Sequence, residues 1–257
     1  MKQSHPSRRA FLQASVLLAA PAVLGAEAAL SKSEASPSKP LRVVCVGAHP
    51  DDPESGCAGT LARYAQAGHR VTVVYLTRGE RGIPGKSNEQ AAEIRTREAE
   101  AACQLVGTKP VFAGQTDGAT EVSPARIAEM QKLLAAEEPD LLFAHWPIDT
   151  HPDHQAASVL TIRAYFAMAQ RTQLYFFEVN SGSQSEGFAP NTYVDISAVL
   201  ETKKAALFAH TSQDGREIWR KHHEAIAEFR GREAGVKAAE AFVHLARPNR
   251  ASRLPGL

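Results

Sequence analysis

The chain has 257 residues, of which 44% are hydrophobic and 22% charged, values typical of a globular protein with one sizeable α/β domain or two small ones. Lys and Arg number 29 and Asp and Glu number 28, so the formal net charge is +1. This balance gives no long-range attraction to nucleic acid or to an anionic membrane surface. We therefore expect neither nucleic acid as a partner nor stable membrane insertion of the mature chain.

The N-terminal residues have the features of an export signal. Arg8 and Arg9 precede an apolar stretch, residues 11–24, that is too short for a comfortable membrane span. Ala26-Glu27-Ala28 supplies the small-x-small pattern at which a signal peptidase cuts. The segment SRRAFL, residues 7–12, resembles a twin-arginine signal, which carries proteins that are already folded. A retained helical anchor is the alternative interpretation.

These features predict three segments along the chain. Residues 1–28 form a twin-arginine-type signal peptide, residues 29–40 a flexible leader, and residues 41–257 the folded domain. The expected destination is the periplasm or the exterior of a bacterium. The domain has an odd number of cysteines without CxxC spacing, so no disulfide framework is predicted. They are Cys45, Cys57 and Cys103.

Strand-like apolar runs alternate with stretches of helical periodicity. The runs are residues 41–48, 70–77, 110–114, 140–146, 174–179 and 192–197. The helical stretches are residues 57–68, 88–106, 123–137, 198–209 and 216–245. Continuous apolar strands separated by helices are typical of a parallel sheet covered on both faces. The sequence therefore predicts an α/β, three-layer Rossmann-like fold with a mostly parallel sheet and helices on both faces.

Two clusters of His and Asp follow strands of this predicted sheet. His49, Asp51 and Asp52 follow the first strand, and the fourth strand runs into AHWPIDTHPDH, residues 144–154. Ligands of open parallel sheets bind outside the carboxyl ends of the strands. We therefore expect the two clusters to converge at one edge of the sheet.

These residue types suit a catalytic metal. Two imidazoles and a carboxylate, with one position left for water, are a catalytic zinc arrangement. His49 and Asp52 can supply two ligands and one histidine of HPDH the third, which leaves Asp51 as a candidate general base. Taken separately, the clusters are also explained as helix N-caps and surface histidines, an interpretation that their convergence disfavours.

The first cluster also carries a resemblance to a known family. AHPDDPESGCAGT matches the AHPDD-x-x-x-G-x-x-GT signature of the LmbE-like, or PIG-L, zinc-dependent N-deacetylases. The similarity continues through LTRGERG, RTREAEAACQLVG, DTHPDHQAA, KKAALFAHTSQ and AEAFV, nearly the whole domain. The resemblance implies a small-molecule or glycan substrate, an N-acetylglucosamine-type sugar or glycoconjugate, from which acetate is released to leave a free amine. It also implies one Zn²⁺ per chain, with Fe²⁺ as an alternative occupant, and it leaves open whether the chain forms an oligomer.

The family pattern assigns roles to residues of both clusters. It makes the metal ligands His49, Asp52 and His154. Asp51 becomes the base that takes a proton from water. His151 corresponds to the residue that, as imidazolium, stabilises the oxyanion or protonates the amine, and Asp153 is expected to hold its orientation.

Four further residues are expected to contact the substrate. Arg95 matches the family arginine that does so, the alternative being an ion pair on the surface of its helix. Arg78, Glu80 and Asp117 lie on loops after the second and third strands and are expected to line the pocket.

Other polar residues receive no firm role. Glu54 stands one position later than the glutamate of the family's common HPDDE, because a proline intervenes, and its role stays open. His145 is either a partner of the metal ligands or a packing residue, and His210 is given no chemistry. His222 and His223 indicate a solvated helix face.

Two rival functions fit some of the same residues. His49-x-Asp51 with a distant histidine fits the triad of non-haem iron oxygenases, although such sites usually lie in double-stranded β barrels. The second rival is a non-catalytic protein that binds carbohydrate and keeps the metal for structure. Release of an amine from an N-acetylated sugar separates all three.

Overall fold

A seven-stranded sheet organises residues 39–168 and 172–246, the part of the chain that the computed structural model describes. The strands are β1 (Arg42–Gly47), β2 (Arg70–Tyr75), β3 (Lys109–Phe112), β4 (Leu141–His145), β5 (Gln173–Phe177), β6 (Thr192–Asp195) and β7 (Ala239–His244). Their order across the sheet is β3-β2-β1-β4-β5-β7-β6. The first five are parallel, whereas β7 runs antiparallel to both of its neighbours. The predicted signal, residues 1–28, lies outside the described residues, as does the leader up to residue 38.

Helices connect and cover the strands. They are α1 (Asp52–Gln66), α2 (Asn88–Val106), α3 (Pro124–Glu137), α4 (Pro152–Ala167), α5 (Leu200–Phe208), α6 (Gly215–Ile218) and α7 (Glu224–Ala234). A π-helical turn, Trp219–His223, joins α6 to α7. None of the helices described combines the length and the apolar composition that a bilayer crossing requires.

The alternating side chains of β1 explain why its sequence is apolar throughout. Val43 and Cys45 belong to a core with residues of α1, α2 and α5, whereas Val44 and Val46 belong to a second core with residues of α3 and α4. Successive side chains of a strand point to opposite faces, so both faces of β1 are buried. The predicted α/β fold with a mostly parallel sheet and helices on both faces is confirmed.

The predicted helix over residues 216–245 is wrong in its second half. Helix α7 ends at Ala234, and Gly235 follows with a φ of 71°, a left-handed conformation that glycine adopts without strain. The chain then forms β7, which inserts between β5 and β6. Two other helices differ from the prediction. Helix α1 begins at Asp52 rather than near residue 57, and α4 had no predicted counterpart.

A buried ion pair joins α1, α5 and β7. Glu240 of β7 accepts hydrogen bonds from the backbone N–H groups of Gly59, at 2.9 Å, and Thr60, at 2.7 Å. Lys203 of α5 donates to Glu240, at 2.6 Å, and to the backbone carbonyl of Ser55, also at 2.6 Å. Both charged side chains are almost completely buried. The pair therefore ties the late strand β7 to the helix that begins beside the first His/Asp cluster.

Replacing Lys203 by Met should lower the free energy of unfolding by about 3–5 kcal/mol, because Glu240 would stay buried without its cation. Lys204→Met is a matched control on the same helix, since Lys204 pairs with the exposed Glu201. An exposed pair contributes at most about 1 kcal/mol. Urea denaturation of both variants measures the difference, and equal losses would contradict the role given to the buried pair.

Candidate metal centre and active site

The two His/Asp clusters meet outside the carboxyl ends of β1 and β4, which are adjacent strands. The chain leaves β1 through His49 and enters α1 at Asp52, and it leaves β4 and enters α4 just after His151. The ring centroid of His49 lies 4.8 Å from that of His151 and 5.4 Å from that of His154. Residues about a hundred positions apart thus share one site.

Asp52 lies between two imidazoles. Its Oδ2 is 3.2 Å from Nδ1 of His49, and its Oδ1 is 3.3 Å from Nε2 of His154. All three side chains are buried. The structure therefore brings together the three residues that the sequence predicts as metal ligands.

Carboxylates hold the far nitrogen of each imidazole. Nε2 of His49 is 3.1 Å from Oδ2 of Asp153 and 3.3 Å from Oδ1 of Asp117. Nδ1 of His154 is 3.1 Å from Oδ1 of Asp149. A carboxylate on one ring nitrogen fixes the tautomer that leaves the other nitrogen free to bind a metal.

This donor set fits a divalent transition metal. Each oxygen of Asp52 contacts one imidazole, and each imidazole has an acidic neighbour at its outer nitrogen. Such a set suits Zn²⁺ and also suits Fe²⁺. In the described part of the chain, three overlapping groups place candidate ligand atoms within 4.8 Å of one another: His49, His151 and His154; Asp52, His145 and His154; and His49, Asp117 and Asp153. The predicted ligands are distributed over these groups.

His145 packs against two of the predicted ligands, since its ring lies on that of His154 and its Nε2 is 3.2 Å from Oδ2 of Asp52. Its Nε2 accepts a hydrogen bond from the backbone N–H of Ala48 at 3.0 Å, and its ring stacks on that of His154 with centroids 4.2 Å apart. Burial lowers the pKa of His145 to about 4, so the ring is neutral at pH 7. Of the two roles that the sequence left open for His145, contact with the metal ligands and packing, the structure shows both.

The charges of the site favour a bound cation. Burial raises the pKa of Asp52, but His154 and His145 lower it by more, and the pKa lies well below its usual range. Burial likewise opposes the charge on Asp149 and Asp153, yet the neighbouring imidazoles keep the pKa of each low. Burial opposes a charge on His49 and His154, but the same carboxylates raise the pKa of both rings, that of His154 to about 9, so a divalent ion binds here by displacing protons from the imidazoles.

Asp51 lies at the start of α1 in an unusual conformation. Its φ is 115°, its backbone N–H donates to Oε2 of Glu54 at 3.1 Å, and its carboxylate lies 3.2 Å from Nη2 of Arg95. Burial raises the pKa of Asp51; Arg95 opposes this effect and Asp52 adds to it, and the pKa lies above its ordinary value. A raised pKa makes the carboxylate a better proton acceptor, as the predicted base requires.

Asp153 contacts His151, the residue that it is expected to orient, through its backbone and not through its carboxylate. That carboxylate contacts His49 and accepts hydrogen bonds from the backbone N–H of Gly118 and the hydroxyl of Thr120. The backbone N–H of Asp153 instead donates to Nδ1 of His151 at 3.2 Å, because His151 caps α4. Since Nδ1 accepts this bond, Nε2 of the neutral ring carries the proton.

The other predicted substrate residues have different surroundings. Asp117 lines the cavity above the cluster, whereas Arg78 bonds to Thr96 and Glu80 bonds to the backbone of Arg78 and Asp117. Arg78 and Glu80 therefore support the loops and do not line the cavity. Arg95 lines the cavity but is 3% exposed, which excludes the alternative of an ion pair on the helix surface.

The cavity has a volume of about 350 Å³ and includes residues that the sequence did not indicate. Its further lining residues include Arg81, Asn180, Gln184, Gln213, Ile218 and His223. The prediction that His223 lies on a solvated helix face is wrong, because it is 3% exposed and belongs to the π-helical turn. Asp149 was also missed, although its position two residues before His151 in DTHPDH was a usable signal.

The chain is similar to known proteins in sequence and in fold. The sequence model of the PIG-L family, described as GlcNAc-PI de-N-acetylase, matches residues 44–165. The chain is 31% identical over 235 residues to the diacetylchitobiose deacetylase of Thermococcus kodakarensis, an alignment that covers 83% of this chain and 88% of that protein.

Two solved structures are similar as well. The N,N'-diacetylchitobiose deacetylase of Pyrococcus horikoshii is 27% identical with a TM-score of 0.70, covering 79% of this chain and 83% of that one. The 4-carboxy-2-hydroxymuconate hydratase GalB of Pseudomonas putida has a TM-score of 0.72 at 23% identity, covering 82% of this chain and 98% of that one. The second likeness shows the fold alone, and it shows that one fold serves two reactions.

Replacing His154 by Ala should abolish stoichiometric metal binding, whereas Asp149→Asn should weaken it about 10- to 100-fold, because Asp149 contacts only the far nitrogen of that ligand. The intact chain should bind about one metal per molecule, as a catalytic zinc site does. Elemental analysis and competition with a chelator measure both quantities. His69→Ala is the control, since His69 bonds to Leu41 at the opposite edge of the sheet. Full metal content in the His154 variant would overturn the ligand assignment.

Proposed function

Because the chain belongs to the PIG-L family, we propose that it is a metal-dependent deacetylase that hydrolyses the N-acetyl group of an N-acetylglucosamine-type sugar or glycoconjugate. The products are acetate and a free amine. The observation that carries the proposal is the cluster of His49, Asp52 and His154 in a cavity that a second carboxylate, Asp51, also lines. Among the relatives, diacetylchitobiose and N-acetylglucosaminyl compounds appear as substrates.

The proposed metal is Zn²⁺, with Fe²⁺ as the alternative for the same nitrogen and oxygen donors. When bound by His49, Asp52 and His154, the metal supplies Lewis acidity, which lowers the pKa of water and polarises a carbonyl group. Asp117, Asp149 and Asp153 hold the outer nitrogens of the ligand imidazoles and keep their rings in place.

Asp51 transfers the proton and His151 stabilises the developing charge in this proposal. Asp51 takes a proton from the attacking water and then gives it to the leaving amine, and its raised pKa suits that task. His151 presents its Nε2–H to the amide oxygen as negative charge develops there, since Nδ1 already accepts a bond from the backbone. Asp51 is the N-cap residue of α1 and His151 is the N-cap residue of α4, so the two residues belong to different elements.

The rest of the cavity suits a sugar. A volume of about 350 Å³ lies within the usual range for small-molecule sites, roughly 300–1,000 Å³. The amide side chains of Asn180, Gln184 and Gln213 line it and can both donate to and accept from sugar hydroxyls. The non-haem oxygenase alternative loses support, because the fold is a mostly parallel α/β sheet and not a β barrel.

Replacing Asp51 by Asn should lower the rate of acetate release about 10²- to 10⁴-fold while the metal stays bound, because the base is lost and the ligands are kept. His151→Ala should retain the metal and lose about 10²- to 10³-fold, the usual effect of removing one oxyanion donor. The assay uses N-acetylglucosamine, its oligomers and a peptidoglycan fragment, with metal content measured on the same samples. Asp195→Asn, an exposed carboxylate at the end of β6, is the control.

The same assay decides between functions. Parent protein that releases no acetate from any N-acetylated sugar, and instead hydrates an unsaturated carboxylic acid as the Pseudomonas putida relative does by name, would overturn the deacetylase proposal. Sugar binding without turnover would favour the non-catalytic alternative. An Asp51→Asn variant with the parent rate, or without its metal, would refute the division of labour between the two adjacent aspartates.

We further propose that residues 1–28 export the chain, already folded, to the periplasm or beyond through the twin-arginine route. The proposal rests on Arg8 and Arg9 before the apolar residues 11–24. Changing both arginines to lysine keeps the charge and should leave the precursor in the cytoplasm. Fractionation of cells that express each form measures this, and unchanged export of the lysine variant would refute the route.

A further inference from the structure

We propose that Arg95 is a positioning residue that holds Asp51 in its unusual backbone conformation. This inference rests on the proposed function, in which Asp51 is the base. The guanidinium of Arg95 contacts two groups at once: it donates through Nη2 to the backbone carbonyl of Pro50, and it lies 3.2 Å from the carboxylate of Asp51. One rigid, planar group thus fixes the peptide before Asp51 and the side chain after it.

The conformation of Asp51 needs such support. Its φ of 115° and ψ of −26° lie in a region that residues with a side chain rarely adopt, and the surrounding structure must stabilise it. Both polar groups of the peptide unit between Pro50 and Asp51 are hydrogen-bonded. Arg95 binds its carbonyl oxygen, and Oε2 of Glu54 accepts its N–H at 3.1 Å. With this peptide held, rotation about the N–Cα bond of Asp51 would carry its carboxylate away from Arg95.

Glu54 is itself anchored, which assigns a role to a residue that the sequence left open. The hydroxyl of Tyr75 donates to Oε1 of Glu54 at 2.5 Å, and Nε2 of the buried His210 lies 3.5 Å from Oε2. Tyr75 stands at the end of β2, so the N–H of Asp51 is tied through Glu54 to the sheet. Glu54 and Arg95 together form a clamp on one peptide.

Two glycines of the motif TRGERG make room for the guanidinium. A Cβ atom at Gly79 would lie 2.4 Å from Nη1 of Arg95, and one at Gly82 would lie 2.2 Å from the same atom. Gly79 also has a φ of 67°, and its backbone carbonyl accepts a hydrogen bond from the N–H of Gly82 at 3.1 Å. The turn therefore closes over the guanidinium, which explains why Arg95 is 3% exposed although it borders the cavity.

The kinetic test compares Arg95→Ala with Arg97→Ala, a matched control, since Arg97 lies two residues on along α2 and forms an exposed pair with Glu93. Arg95→Ala should lower kcat about 10²-fold, a usual effect of a misplaced catalytic group, with metal content unchanged. Guanidinium chloride added to this variant should restore part of kcat, whereas Arg95→Lys should not, because an ammonium cannot span both acceptors.

A double-variant comparison separates positioning from substrate binding. If Arg95 acts through Asp51, adding Arg95→Ala to Asp51→Asn should lower the rate no further. A residue that only bound substrate would instead raise KM and leave kcat unchanged, and that result would overturn the proposal. Gly82→Ala, which displaces the guanidinium without removing its charge, should reproduce the loss in kcat if Arg95→Ala fails to fold.

A crystal structure of Arg95→Ala supplies a readout that does not depend on activity. Asp51 should leave its φ of 115° for a negative value, while His49, Asp52 and His154 keep their places. An unchanged Asp51 would refute the proposal. Parent protein without deacetylase activity would refute the proposed function instead, and the crystallographic result would still decide the role of Arg95.

Discussion

The site depends on the adjacency of β1 and β4. These two parallel strands are neighbours, yet the helices that follow them cover opposite faces of the sheet: α1 lies against one core and α4 against the other. Where successive connections diverge in this way, a crevice opens outside the carboxyl ends of the strands. His49 and Asp52 enter the crevice from one side and His151 and His154 from the other. Asp52 contacts an imidazole from each side of the crevice, that of His49 and that of His154.

A second condition is the matching of charges around the imidazoles. Four carboxylates contact the rings of His49 and His154, and they belong to Asp52, Asp117, Asp149 and Asp153. Burial of so many acidic groups is costly unless each has a partner, and here the imidazoles and backbone N–H groups supply partners. The arrangement keeps the ring orientations fixed before any cation binds, so little reorganisation accompanies binding.

The local sequence pattern was sufficient to predict the strands that build this edge of the sheet. The continuous apolar runs that became β1, β2 and β4 are buried on both faces, and such runs are visible in sequence without knowledge of the partner strands. The two His/Asp clusters follow directly, because strand ends in a parallel sheet face the same edge. The ligand assignment needed the family resemblance as well, since spacing alone left either histidine of HPDH eligible.

Features that depend on distant contacts could not be read in the same way. β7 forms because Ala239–His244 finds β5 and β6, and its six residues continue a helical pattern when read alone. The π-helical turn that buries His223 has no recognised sequence signal, and the direction of the Asp153 carboxylate is set by Gly118 and Thr120, which lie over thirty residues earlier. The burial of Arg95 likewise follows from two glycines on another loop.

The cysteines of the core bear on the order of folding and export. Cys45 and Cys57 lie with their sulfur atoms 3.3 Å apart, and both, with Cys103, are free thiols that water does not reach. Burial raises the pKa of Cys45 and of Cys57, so both stay in the thiol form, which is a poor nucleophile. A chain that enters an oxidising compartment unfolded would expose all three to disulfide formation. If the chain is exported folded, as proposed, its sulfur atoms are enclosed on arrival, and its core keeps the reduced state of the compartment in which it was made.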